Sequence, residues 1–167
     1  MKLSNYSTAT AASSRNRSRA AVFFLLAAPL CFSQINPLSV APPQKLTAKA
    51  GATVEMKITA QLRPGYHCNS NTPSDDYLIP LRLSWTAAPL TVSGVVYPKA
   101  QLEKYAFSDK PLSVYTGDFE IVTKFKVPAS APPGLAVISG KLRYQACTDR
   151  MCLPPKTVDF SLPIDVR

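Results

Sequence analysis

The chain has 167 residues, 46% of them hydrophobic and 17% charged, with 19 basic against 10 acidic residues and a formal net charge of +9. Four of the basic residues, Lys2, Arg15, Arg17 and Arg19, lie in the first 33 positions, and without them the net charge is +5. The remaining charges are scattered singly along the chain, which gives no footing for a nucleic-acid partner.

Residues 1–33 form an expected secretory signal, in which that basic start leads into the apolar run Ala20 to Leu30 and ends at Ser33, a small residue at a cleavage point. The run is too short to span a bilayer as a stable helix, and no later stretch approaches transmembrane length. No stable membrane insertion is therefore expected after cleavage. The alternative of a lipid anchor on Cys31 is disfavoured by Leu30, which stands where a lipidation motif calls for a small residue. The expected mature product, roughly 130 residues, is long enough to fold as one domain around its own core. Its compartment, periplasmic or extracellular, is oxidising.

Residues 34–45, with Pro37, Pro42 and Pro43, read as an extended leader, and residues 46–167 as the domain. A period of two begins at Val54, where Val54, Met56, Ile58, Ala60 and Leu62 alternate with Glu55, Lys57, Thr59 and Gln61. This predicts a half-buried strand, stopped by Pro64-Gly65. The next strands are expected over 78–85, with Ile79, Leu81, Leu83 and Trp85 on one face, and over 90–97 before Pro98. Phe119, Ile121, Thr123, Phe125 and Val127 share a face of a further strand, closed by Pro128 and by the Pro132-Pro133-Gly134 turn. Ala136, Ile138, Gly140, Leu142, Tyr144 and Ala146 line the next one, and Val158, Phe160, Leu162, Ile164 and Val166 line the last. Those two predict a hairpin with a cysteine loop at its head. About seven short strands with no helical stripe point to an all-β fold, an immunoglobulin-like antiparallel β-sandwich.

The loop at the hairpin head reads Tyr144-Gln145-Ala146-Cys147-Thr148-Asp149-Arg150-Met151-Cys152-Leu153-Pro154-Pro155. Two cysteines with four residues between them, in an exported domain that can fold by burial alone, suit either a reversible dithiol or a structural staple. There is no second cysteine pair or histidine cluster to complete a metal site. Hydrolase triads, phosphate loops and cofactor fingerprints are also missing, so neither a metal nor a cofactor is expected. Arg150 is close enough in sequence to Cys152 to favour a thiolate, although Asp149 opposes it.

Three segments resemble one family, the amino-terminal periplasmic domain of the thiol:disulfide interchange protein DsbD. They are Gly65-Tyr66-His67-Cys68-Asn69-Ser70-Asn71, Phe107-Ser108-Asp109-Lys110-Pro111-Leu112, and the cysteine loop from Tyr144 to Pro155. The resemblance implies an immunoglobulin-like sandwich with one catalytic pair, Cys147 and Cys152. Cys152 would be the attacking thiol and Cys147 its resolving partner. It also implies a cap loop, placed at 103–109, with Tyr105 and Phe107 as its aromatic lid. The implied partners are thioredoxin-like periplasmic proteins and a membrane thiol electron donor. Two features depart from the best-known members. Those have five residues between the cysteines, and they are fused to a transmembrane domain and a thioredoxin-like domain; the donor is thus expected in trans.

Cys68 is expected as a buried free thiol, with a third redox partner or an intermolecular bridge as the functional alternative. His67, the sole histidine, is expected to pack or to sit at the surface rather than act as a ligand. Asp75 and Asp76 read as turn residues. Two functional readings follow: a thiol-disulfide exchange module that serves as an oxidoreductase component, or a non-catalytic β-sandwich interaction domain with a permanent bridge.

Overall fold

A computed structural model describes residues 36–167. The expected signal, Ser33 and Cys31 lie outside the described residues. Twelve strands follow one another: β1 (Leu38–Val40), β2 (Leu46–Ala48), β3 (Thr53–Leu62), β4 (His67–Asn69), β5 (Arg82–Thr86), β6 (Thr91–Val96), β7 (Gln101–Glu103), β8 (Leu112–Thr116), β9 (Asp118–Lys126), β10 (Gly134–Tyr144), β11 (Ala146–Cys147) and β12 (Lys156–Val166). They make three sheets, ordered β1-β3-β9-β6, β2-β12-β10-β5 and β11-β4-β8-β7. Every pairing is antiparallel except the one that sets β2 beside β12.

The first two sheets bury facing sides against each other. Met56, Ile58 and Ala60 of β3 and Ile121 and Phe125 of β9 join Leu83 of β5, Ile138 and Leu142 of β10, and Leu162 and Ile164 of β12 in one core. Strict alternation drives this, because a strand sends successive side chains to opposite faces and one face of each strand here is apolar. Trp85 ties the two layers together. Its ring meets Phe125 edge-on at 5.0 Å, and its indole N–H donates to the buried Thr123 hydroxyl at 3.0 Å. Thr123, which sits mid-strand on an apolar face, thus has the partner a buried hydroxyl needs.

Three differences from the sequence reading have local causes. Leu38, inside the stretch read as a leader, pairs with Leu62 and is buried in the core. A three-residue strand flanked by prolines carries too few residues to show a period. The strand expected from Leu78 begins instead at Arg82, because Pro80 has no backbone donor and the Leu78 N–H turns back to the Asp75 carbonyl at 3.2 Å. The third sheet went unpredicted altogether. In β4 all three residues, His67, Cys68 and Asn69, are buried, so no polar alternation marks it.

Candidate redox site

β10 and β12 pair from Gly134↔Val166 to Tyr144↔Lys156, and the eleven residues between them form the head of that hairpin. Past Tyr144 the chain leaves its sheet and pairs as β11 with β4 of the third sheet, with Ala146 opposite Cys68 and Cys147 opposite His67. It then turns on itself. Cys147 and Cys152 face each other as an antiparallel bridge, with the Leu153 N–H donating to the Ala146 carbonyl at 2.8 Å on one side and the Thr148 N–H to the Met151 carbonyl at 2.8 Å on the other. Those bonds place the cysteines at a non-hydrogen-bonded position of a small hairpin, where opposed residues come closest. Their Cα atoms are 3.9 Å apart, and the two sulfurs form a disulfide.

The turn explains why four intervening residues suffice. Asp149 and Arg150 are the two turn residues and Thr148 and Met151 the last pair, so the next pair outward is Cys147 and Cys152. Among the described residues no non-glycine residue has positive φ, so the turn lacks the left-handed residues that two-residue hairpins favour. The Thr148 hydroxyl compensates by accepting the backbone N–H groups of Arg150 at 3.3 Å and Met151 at 3.2 Å. Gln145 closes the base, its side-chain amide N–H donating a hydrogen bond to the Leu153 carbonyl at 3.2 Å. The two cysteines are unequally placed. Cys147 is 1% exposed, whereas Cys152 is open to solvent.

Directly opposed residues in an antiparallel pair share a face, so the side chains of Cys147, His67 and, one strand further, Thr116 lie on one side of the third sheet. Cys68, Ala146 and Tyr115 lie on the other, within the main core. Cys68 is therefore a free, buried thiol whose sulfur points away from the disulfide, and desolvation pushes its pKa up to about 12. The third-redox-partner alternative finds no support in that arrangement.

His67 is the residue that sequence reasoning underweighted. It is 3% exposed, and Tyr105 stacks on its ring at 4.0 Å with Phe107 further along the same stack at 6.4 Å. Burial lowers the imidazole pKa, and the Glu103 carboxylate partly offsets this by favouring the cation. Its Nε2 is buried with no hydrogen-bond partner. The signal available in the sequence was the position of His67 inside a segment that had already been picked out, but nothing local says that β4 pairs with the cysteine loop.

The stretch expected as a cap, 103–109, forms a compact turn over His67. The Tyr105 hydroxyl donates to Glu103 at 2.5 Å, and the Ser108 N–H donates to the Tyr105 carbonyl at 3.1 Å. Burial first, then that hydrogen bond and the nearby carboxylate, push the Tyr105 phenol well above its usual range. Tyr105 also packs on a small cluster of Leu78, Leu112 and Val114. Lys110 anchors the end of the turn on Asp75 at 2.6 Å, an ion pair that raises the lysine's pKa. Asp75, read as a turn residue, thus also anchors the segment that follows Tyr105 and Phe107. The aromatic rings reach the disulfide by way of His67, the cross-strand neighbour of Cys147. Cys152 stays exposed, and Phe107 itself is 45% exposed. A cleft of about 650 Å³ opens at this spot between the turn Arg63–Tyr66, His67, Glu103, Tyr105 and Asp149. Arg150 enters the hairpin turn through its backbone, whereas Asp149 is the charged residue of that turn lining the cleft.

Among the described residues, no group of three or more His, Cys, Asp or Glu side chains could hold a metal ion. The chemistry this arrangement allows is sulfur exchange at an accessible disulfide atom with a shielded partner. The model of the family "Thiol:disulfide interchange protein DsbD, N-terminal" matches residues 36–164. No curated protein sequence matches the chain. Among solved structures, the N-terminal domain of DsbD from Neisseria meningitidis in its reduced form is 17% identical, with 70% of this chain and 82% of that one covered and a TM-score of 0.47. The N-terminal periplasmic domain of ScsB from Proteus mirabilis is 18% identical at a TM-score of 0.53, with 81% of this chain aligned. The match spans about half, 49%, of that ScsB chain, and the likeness is one of fold. With the family model running from before β1 into β12 and through the whole cysteine hairpin, the chain belongs to the family of the N-terminal domain of the thiol:disulfide interchange protein DsbD.

Proposed function

We propose that this protein is an exported thiol-disulfide exchange module in which Cys152 attacks and Cys147 resolves. The signal at residues 1–33 directs export, and the domain relays electrons from a membrane thiol donor to thioredoxin-like oxidoreductases. One observation carries the assignment of roles: the disulfide joins a buried Cys147 to an exposed Cys152. Exchange proceeds by in-line attack on a sulfur atom, so the accessible sulfur is the one a partner can engage. In the forward step the Cys152 thiolate attacks a partner disulfide, forming a mixed disulfide and releasing one partner thiolate. Cys147 then attacks Cys152, the intramolecular disulfide forms, and the second partner sulfur leaves reduced.

Replacing Cys147 with Ser removes the resolving thiol and should trap a covalent complex with a thioredoxin-like partner, visible as a slow band on a non-reducing gel. Cys152→Ser should trap none. The opposite pattern would reverse the two roles. A reduction potential below about −300 mV together with no trapping by either variant would mark the bridge as a permanent staple in an interaction domain.

A further inference from the structure

We propose that His67 is the proton acceptor for Cys147 in the resolving step, a role that rests on the exchange reading above. The Cys147 thiol is the group with the harder task in the cycle. It is 1% exposed, so a thiolate formed there has almost no water to solvate it, whereas Cys152 is open to solvent. A base within the protein must take the proton as the sulfur attacks. His67 lies directly across the strand pair from Cys147, on the same face of the third sheet.

Three further observations fit that task. Nε2 of His67 is buried and makes no hydrogen bond, so it has an acceptor position to spare in the tautomer whose proton is on Nδ1. Burial keeps the imidazole neutral at physiological pH, the form a base needs, and the Glu103 carboxylate favours the cation that forms on proton uptake. The Tyr105 ring, stacked at 4.0 Å and itself tethered to Glu103, sets the ring plane. The charged and titratable groups around His67 are Arg63 and Tyr66 from the turn before β4, Glu103 from β7, Tyr105 from the cap, Asp149 from the hairpin turn, and Cys147 itself.

In the step, the Cys147 S–H bond breaks and its proton goes to Nε2 of His67. The sulfur's electron pair forms the bond to Cys152 Sγ. The bond from Cys152 to the partner sulfur breaks, and the partner leaves as a thiolate with that pair. The two cysteines are oxidised, the partner disulfide is reduced, and the imidazolium then returns its proton to solvent through the cleft.

The reduced full chain carrying Cys31→Ser can be mixed in stopped flow with dithiobis-nitrobenzoate, an aromatic disulfide that releases one coloured thiolate per exchange. The first phase reports attack by Cys152 and the second reports resolution by Cys147; Cys68, in the core, stays silent. His67→Phe keeps an aromatic ring for the stack and removes the base. It should leave the first phase within about twofold and slow the second by about a hundredfold, the lower end of the range for a positioned acid-base group. In the parent the second phase should rise with pH through an inflection below the usual imidazole value of about 6.5, and that inflection should vanish in the variant. His67→Gln, which cannot serve as a base of comparable strength, should behave as His67→Phe does and covers the case in which the phenylalanine variant fails to fold. A second phase unchanged in rate and pH profile, or both phases slowed alike, overturns the proposal and leaves exchange intact. Absence of the first phase in the parent overturns the exchange reading and this proposal together.

Discussion

At the scale of single residues, neighbours in sequence have opposite fates. His67 and Cys68 are consecutive in β4, and a strand sends consecutive side chains to opposite faces, so one lies beside the disulfide and the other in the core. The Cys68 thiol, with its pKa pushed up to about 12 by burial, should resist iodoacetamide at pH 8 in the folded reduced protein, while Cys152 is alkylated. Mass mapping would read this directly, and labelling of Cys68 at a rate matching Cys152 would refute it. His67 makes a separate prediction for stability. Its folded pKa lies below its unfolded value, so between the two the unfolded chain binds more protons and stability rises with pH. The contribution is full above about pH 6.5 and is lost as pH falls through that window, by at most about 1.4 kcal/mol per pH unit. With a single histidine in the chain, urea midpoints between pH 7 and pH 5 should fall more steeply for the parent than for His67→Phe.

Elements cooperate through positions where side chains give way to one another. Gly140 in β10 stands between its cross-strand partners Trp85 in β5 and Phe160 in β12, and a Cβ added there would come within 2.3 Å of the Phe160 ring. Phe160 also meets Trp85 edge-on at 5.2 Å, so the ring cannot swing aside without disturbing the residue that bonds the two layers together. Gly140→Ala should therefore destabilise the fold by about 1–3 kcal/mol, the usual cost of overpacking, as chemical denaturation would show. A neutral effect would mean that the aromatic pair repacks freely. Because this cluster lies along the β10–β12 hairpin that ends in the cysteine loop, the variant also tests whether the hairpin stem and its head are independent. Redox behaviour should be unchanged, since the cysteine turn is closed by its own hydrogen bonds.

For the whole molecule, the sandwich is a platform that presents one sulfur at its edge. Met151 and Phe107, exposed at 62% and 45%, are apolar side chains on the hairpin turn and the cap, a setting suited to docking a protein rather than a small thiol. Docking raises the effective concentration of the partner's sulfur at Cys152. We expect a thioredoxin-like or membrane thiol carrier to reduce the disulfide far faster than glutathione does at matched driving force, measured by stopped flow. Equal rates would count against a dedicated electron donor.

The sandwich, and the long hairpin that carries the cysteines at its head, were legible in the chain alone. Both rest on information carried locally: period-two runs of nine to eleven residues in β3, β9, β10 and β12, glycine and proline punctuation, and two cysteines spaced for a two-residue turn. The surroundings of the cysteines arise only when distant strands pair. β4, β7, β8 and β11 have two to five residues each and are ordered by pairing across long stretches of chain, which leaves no periodic trace in any one of them. Hence Tyr105 and Phe107 could be singled out from a resembling motif, yet their stacking on His67 could not. Nor could the inequality of the two cysteines, because burial at Cys147 comes from a strand contributed some eighty residues earlier, and no local pattern encodes a contact at that distance.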